Sequence, residues 1–187
     1  MNDITTLPGR GNETGFTLLE LIITLVIGAI LMAVAVPSFT EFLRQSRLTS
    51  QTNDFLGAVN IARSEAVKRS QSVTMCASAD NSATVPTCGG AAWDDGWIVF
   101  TDPDNNEVLG AGEVLIISHD PLDDSSVIAS TDPAITSFYY LSRGAIDFAN
   151  PANTEAKISS SAGGIDNVRC ITLNAAGRPA VEPTPCI

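Results

Sequence analysis

The stretch Gly15–Phe39, GFTLLELIITLVIGAILMAVAVPSF, constrains this chain more than any other. From Phe16 to Val36 it holds one charged residue, Glu20, among apolar or small ones. At about 1.5 Å per residue, a helix of that length crosses a hydrocarbon core of about 30 Å. The run is too long for the apolar region of an ordinary secretory signal, and no A-x-A-like cleavage site follows it. A carboxylate within it costs about 2.5–3.5 kcal/mol at mid-helix and less near an end. Glu20 is therefore the first functional candidate. The plainer alternative is a carboxylate at the membrane surface that complements the N-terminal helix dipole.

Beyond the membrane run, Ser38 to about Ser72 reads as the same helix continued. Leu48, Thr52, Phe55, Val59, Ala62 and Ala66 recur at steps of three and four, a narrow apolar stripe suited to packing on the chain's own β-sheet. Gly28 and Gly57 each weaken such a helix by about 1 kcal/mol relative to alanine, and Pro37 removes a backbone donor and should bend it. After Ser72 the period becomes strand-like. Short β-rich runs fall at Val73–Ala77, Trp97–Thr101, Val114–Ser118, Ser137–Leu141 and Val168–Leu173, with weaker ones near Ser126–Ala129 and Ala156–Ser160. A long helix feeding a head of short antiparallel strands is an α+β arrangement. The expected organisation is a polar leader over 1–15, a helix over 16–72 (16–36 transmembrane, 38–72 amphipathic) and a β-rich head over 73–187.

Gly15-Phe16-Thr17-Leu18-Leu19-Glu20 resembles the processing site of type IV pilins and pseudopilins. The resemblance implies that prepilin peptidase cuts after Gly15 and that Phe16 is then methylated. It implies that Glu20 pairs with the terminal amine of a neighbouring subunit. Pro37 falls where these proteins carry a helix-bending proline, and the segment from Gly28 to Pro37 is the part that loosens in related filaments. Further along, Ala62-Arg63-Ser64-Glu65-Ala66, Cys76, Trp93, Gly96-Trp97-Ile98-Val99-Phe100, Gly177-Arg178-Pro179 and Cys186 follow one another in an order similar to the GspH/FimT family. That family comprises H-type pseudopilins of type II secretion and minor pilins of type IV pili. It implies two small, mainly antiparallel sheets against the lower half of the long helix. Its implied partners are other pilins or pseudopilins, the prepilin peptidase and an inner-membrane assembly platform. The implied location is the bacterial inner membrane, with the head in the periplasm, and then the filament, with the initiating tip as the expected position. No cofactor is implied.

Net charge is −11, and beyond Ser72 fifteen Asp or Glu face only Arg143, Lys157, Arg169 and Arg178. Such a surface repels nucleic acid. This weighs against the alternative function, DNA binding for natural transformation, which relatives perform through a tail written G-R-x-R. Here Gly177-Arg178-Pro179-Ala180 keeps one arginine, and Arg178 is the one candidate DNA contact. Arg44 and Arg47 beyond the membrane run oppose the positive-inside bias, so charge does not set the orientation.

Four cysteines permit three pairings. Their even count and local spacing favour two disulfides in an oxidising compartment, Cys76–Cys88 and Cys170–Cys186, over zinc ligation. Asp102, Asp104, Asn106 and Glu113 fall at positions one, three, five and twelve of a calcium-loop pattern. Glu107, however, stands where that loop needs glycine and the flanks look like strands, so a polar hairpin turn is expected and no metal. His119 is the one histidine, no nucleophile motif accompanies it, and an enzyme is not expected.

Overall fold

The computed structural model describes residues 15–89, 91–123, 125–133, 135–148, 155–162 and 168–186. The leader expected over Met1–Gly15 lies outside them except for Gly15. By compactness the chain divides into two units, Met1–Glu41 and Phe42–Ile187. One helix, α1 (Leu18–Arg69), contributes to both. It starts two residues later and ends three earlier than the sequence suggests. At its start, Thr17 precedes the first turn and accepts the Glu20 amide proton on Oγ1 (3.2 Å), which makes it the N-cap. At its end Ser70 takes a left-handed backbone (φ 56°). The Ser70 amide donates to Val67 O and the Gln71 amide to Ala66 O, the paired bonds of a Schellman cap, with Lys68 and Arg69 in the last turn. The helix continues through Pro37.

Among the described residues the head has nine strands, β1 (Val73–Ala77), β2 (Trp97–Thr101), β3 (Leu115–His119), β4 (Ser126–Ser130), β5 (Ser137–Tyr140), β6 (Ile146–Phe148), β7 (Glu155–Ala162), β8 (Val168–Asn174) and β9 (Pro179–Glu182). They form two antiparallel sheets, ordered β3-β2-β1-β5-β6 and β4-β7-β8-β9. The expected α+β class, a long helix on two small antiparallel sheets, is what the structure has. Strands β6 and β9 go beyond the sequence reading.

The core follows from the two periods. Every residue of the expected helix stripe is buried, and Gln51 and Ala58 join them. Opposite lie Val73, Met75, Trp97, Val99, Phe138 and Tyr140 from the first sheet and Ile128, Ile158, Ile171 and Leu173 from the second, all in one cluster. Phe55 stands edge-on to both Trp93 and Trp97, at 5.3 and 5.4 Å between ring centres, a favoured aromatic geometry. Alternation along β1 and β2 sends Cys76, Ile98 and Phe100 to the other face of the sheet, where Cys88 and Leu109 cover them.

A polar seam crosses between helix and second sheet. Gln51, 96% buried, donates through Nε2 to Ser160 Oγ (2.9 Å) and Ser161 O (2.8 Å). Arg169 donates to Thr49 Oγ1 (3.0 Å). Hydrogen bonds of this kind offset the cost of burying polar groups and fix how strand and helix slide past each other.

Candidate functional site

In the N-terminal unit the chemistry rests on a helix start and an apolar run. Gly15, Phe16 and Thr17 precede the helix, and Phe16 is 82% exposed. Thr17 and Glu20 have the spacing of a capping box. Glu20 sits in the first turn, where the unpaired backbone N–H groups favour a negative charge. Its side chain is exposed. The apolar residues of the run are exposed as well, and none of the membrane-length window is buried. The hydroxyls near it turn back on the helix: Thr24 donates to Leu21 O, Ser38 to Val34 O and Thr40 to Pro37 O. Such bonds leave no hydroxyl proton unsatisfied in lipid. A Cβ added at Gly28 would meet nothing within 4 Å. Packing within the chain therefore does not require glycine there.

In the head, Cys76 is bonded to Cys88 and Cys170 to Cys186, with Cα separations of 5.5 and 4.9 Å. The second bond ties the C-terminal segment to β8. Arg178 is exposed on the turn from β8 to β9. The preceding Gly177 is required by the fold, because its φ is +75° and a Cβ would press on Gly144 O and the Tyr140 ring. The Tyr140 hydroxyl donates to Gly177 O (3.3 Å), and burial pushes that hydroxyl's pKa well up. This turn thus packs on β5 and on the turn after it, whatever Arg178 does.

The carboxylates of Asp102, Asp104 and Glu113 do converge, with oxygens within 4.8 Å of one another. Each already holds a turn together. Asp102, fully buried, accepts from Thr74 Oγ1 (2.6 Å) and from the amides of Asn106 (3.0 Å) and Glu107 (3.1 Å). Asp104 accepts from Asn106 Nδ2, and Glu113 from the Gly110 amide. Glu107 adopts the left-handed backbone (φ 60°) without being glycine. The loop joins two strands, as a polar hairpin does. His119 stacks on Trp97 at 3.8 Å and donates from Nδ1 to Asp120 O (2.7 Å).

These features meet in known proteins. The profile of the family described as "Type II transport protein GspH" matches residues 51–177, well over half the chain. The chain belongs to the GspH family. A second profile, the prokaryotic N-terminal methylation motif, matches residues 10–36 and so covers Gly15, Phe16 and Glu20. No curated protein sequence matches significantly. Among solved structures, the type IV minor pilin FimU of Pseudomonas aeruginosa (strain PAO1) shares the fold in two crystal forms. In space group P21 the TM-score is 0.54 at 21% identity, covering 78% of this chain and 92% of that one. In space group P65 the TM-score is 0.52 at 20% identity, covering 72% and 92%. As a GspH-family protein the chain is a minor pilin or pseudopilin, a structural class, and the long apolar helix with its methylation motif is the family's membrane-anchoring element. Sequence reasoning did not find Gln51, and its place four residues before Phe55 on the stripe is the signal that could have found it.

Proposed function

We propose that this chain is made as a precursor in the bacterial inner membrane, with residues 1–15 as leader, and that prepilin peptidase cuts between Gly15 and Phe16. Phe16 is then methylated. The mature protein joins a type IV pilus or type II secretion pseudopilus through an assembly platform, at or near the initiating tip, with its head in the periplasm. Its partners are other pilins. The observation that carries this reading is the Thr17-capped start of α1 followed by an apolar run whose side chains are exposed among the described residues. Extracted from lipid by neighbours of the same kind, that run exchanges one apolar surrounding for another. Glu20 then compensates the new terminal amine of an adjacent subunit, a short-range ion pair strengthened where water is excluded. The two disulfides fit an oxidising periplasm.

The test is N-terminal mass analysis of the membrane-extracted protein. A chain starting at methylated Phe16 is expected, and a mature chain starting elsewhere contradicts the reading. Nucleic acid is not among the proposed partners. The head's acidic excess opposes phosphate, and Gly177 is accounted for by packing.

A further inference from the structure

We propose that the outer edge of β3 receives an additional strand, an extended segment of another protein with alternating apolar side chains and Lys or Arg at its ends. Strand β3 is the last in its sheet, so half of its backbone groups point away from β2. Among the described residues, one bond reaches that backbone from outside the sheet: Asn81 Nδ2 donates to His119 O (2.8 Å), at the strand's C-terminal end.

The edge β9 of the other sheet is blunted in the usual ways. It begins with Pro179, is followed by Pro183 and Pro185, and is tied down by Cys170–Cys186. By contrast, Val114-Leu115-Ile116-Ile117 contains no proline and no charge, and the edge is marked instead by a bulge in its pairing with β2, where Ile117 stands opposite Val99 and Leu115 opposite Phe100.

Beside this edge runs a groove of about 440 Å³ lined by Thr84, Val85, Leu109, Ala111, Glu113 and Leu115. Val85 is 56% exposed and Leu115 37%. An added strand would drop alternate side chains into it, as in other cases where a peptide extends a sheet.

Charge selects the occupant. From Ser70 to Ser142 the chain has no Lys or Arg and eleven Asp or Glu. Glu113, clustered with Asp102 and Asp104, stands at one end of β3, and Asp120 at the other. A two-fold antiparallel pairing of two copies, centred between Ile116 and Ile117, would set Glu113 opposite Asp120 at both ends. Like charges directly opposite are destabilising. The same carboxylates attract a strand with basic ends. That repulsion disfavours a second copy in this register, and the basic ends make a different chain the partner that fits.

The experiment uses the full-length protein in detergent micelles and a fluorescein-labelled peptide of alternating Thr and Val with two Lys at each end, followed by anisotropy. Saturable binding is expected. It should weaken about tenfold or more when Glu replaces the terminal Lys residues, and equally when one of the two alternate sets of backbone amides is N-methylated. Leu115→Arg should weaken it to a similar degree. Val85→Arg, across the groove on the disulfide loop, is the second variant should the first fail to fold. No saturable binding overturns the proposal. So does full binding by both N-methylated peptides, which would mean attraction by charge alone, and so does undiminished binding by a folded groove variant.

Discussion

The two halves of α1 carry apolar surface of two different kinds. From Phe16 to Val36 the apolar side chains point in all directions and stay exposed, and the glycine among them has open space around it. From Leu48 to Ala66 most of them lie on one stripe, where Leu48, Phe55, Ala58, Val59, Ala62 and Ala66 are buried while Ile61 off it is exposed, and polar residues at its margin bond to the second sheet. One continuous helix therefore meets two demands. A stripe facing one way is satisfied by a sheet from the same chain, whereas a helix apolar all round needs lipid or other helices on every side. The C-terminal half belongs to folding, and the N-terminal half is the part we propose for assembly.

The sharpest way to break this contrast is to cut a large side chain from each half. Phe55→Ala should destabilise the head by about 3–5 kcal/mol, through lost burial and the cavity left between Trp93 and Trp97. Leu25→Ala should leave the thermal unfolding of the head unchanged. Circular dichroism in micelles checks both, and equal shifts would erase the distinction.

Glycines give a second, smaller version of the test. Gly177→Ala meets both a left-handed backbone and a collision with Gly144 and Tyr140, and should cost about 2–4 kcal/mol. Gly28→Ala meets nothing, and should leave the head alone while strengthening the local helix by about 1 kcal/mol. If the glycine has a part in loosening the run during assembly, the second variant shows its defect in filaments and not in unfolding.

The smallest effect concerns pH and the head alone. The Asp80 carboxyl is held below its ordinary value of 3.8 because the Thr87 amide, the Ser78 hydroxyl and the Thr87 hydroxyl donate to it. A depressed value means that the bonds contribute above the ordinary carboxylate range and are lost as pH falls through the folded value. The Thr87 amide proton shift should titrate with a midpoint below 3.8. A midpoint at or above that value would mean that the bonds do not hold in solution.

Much of this could be read from residues alone, for physical reasons that differ by element. The helix stripe was legible because periodicity of three and four is what one-sided burial demands. Strands β1 and β2 were legible because compact runs such as Val73–Ala77 and Trp97–Thr101 are apolar on both faces, one against the helix and one under Cys88 and Leu109. Strand β6 escaped because three residues are too few to show a period. Strand β9 escaped because Pro-Ala-Val-Glu has little β character, and its pairing is imposed by the turn at Gly177 and the bond at Cys186. Gln51 falls on the helix stripe, four residues before Phe55, yet a polar side chain reads as surface until its hydrogen-bond partners, here Ser160 and Ser161, are known. The spacing from Asp102 to Glu113 does not show in sequence that Asp102 turns inward to accept from Thr74, because that contact is a tertiary fact. Of the proposed functional positions, Gly15, Phe16 and Glu20 were nominated from sequence because their offsets are fixed along the chain. The β3 edge was not, because an edge exists only once the sheet order is known.

The division of α1 into a folding half and an assembly half is tested most directly by Glu20→Val. The substitution removes the one charge between Phe16 and Val36 and makes the run more apolar, so membrane insertion should be intact or improved. The unfolding of the head should be unaltered. Recovery with partner pilins in sheared or detergent-extracted filaments should fall sharply against wild type at equal expression. Undiminished recovery in filaments would contradict an assembly role for this carboxylate.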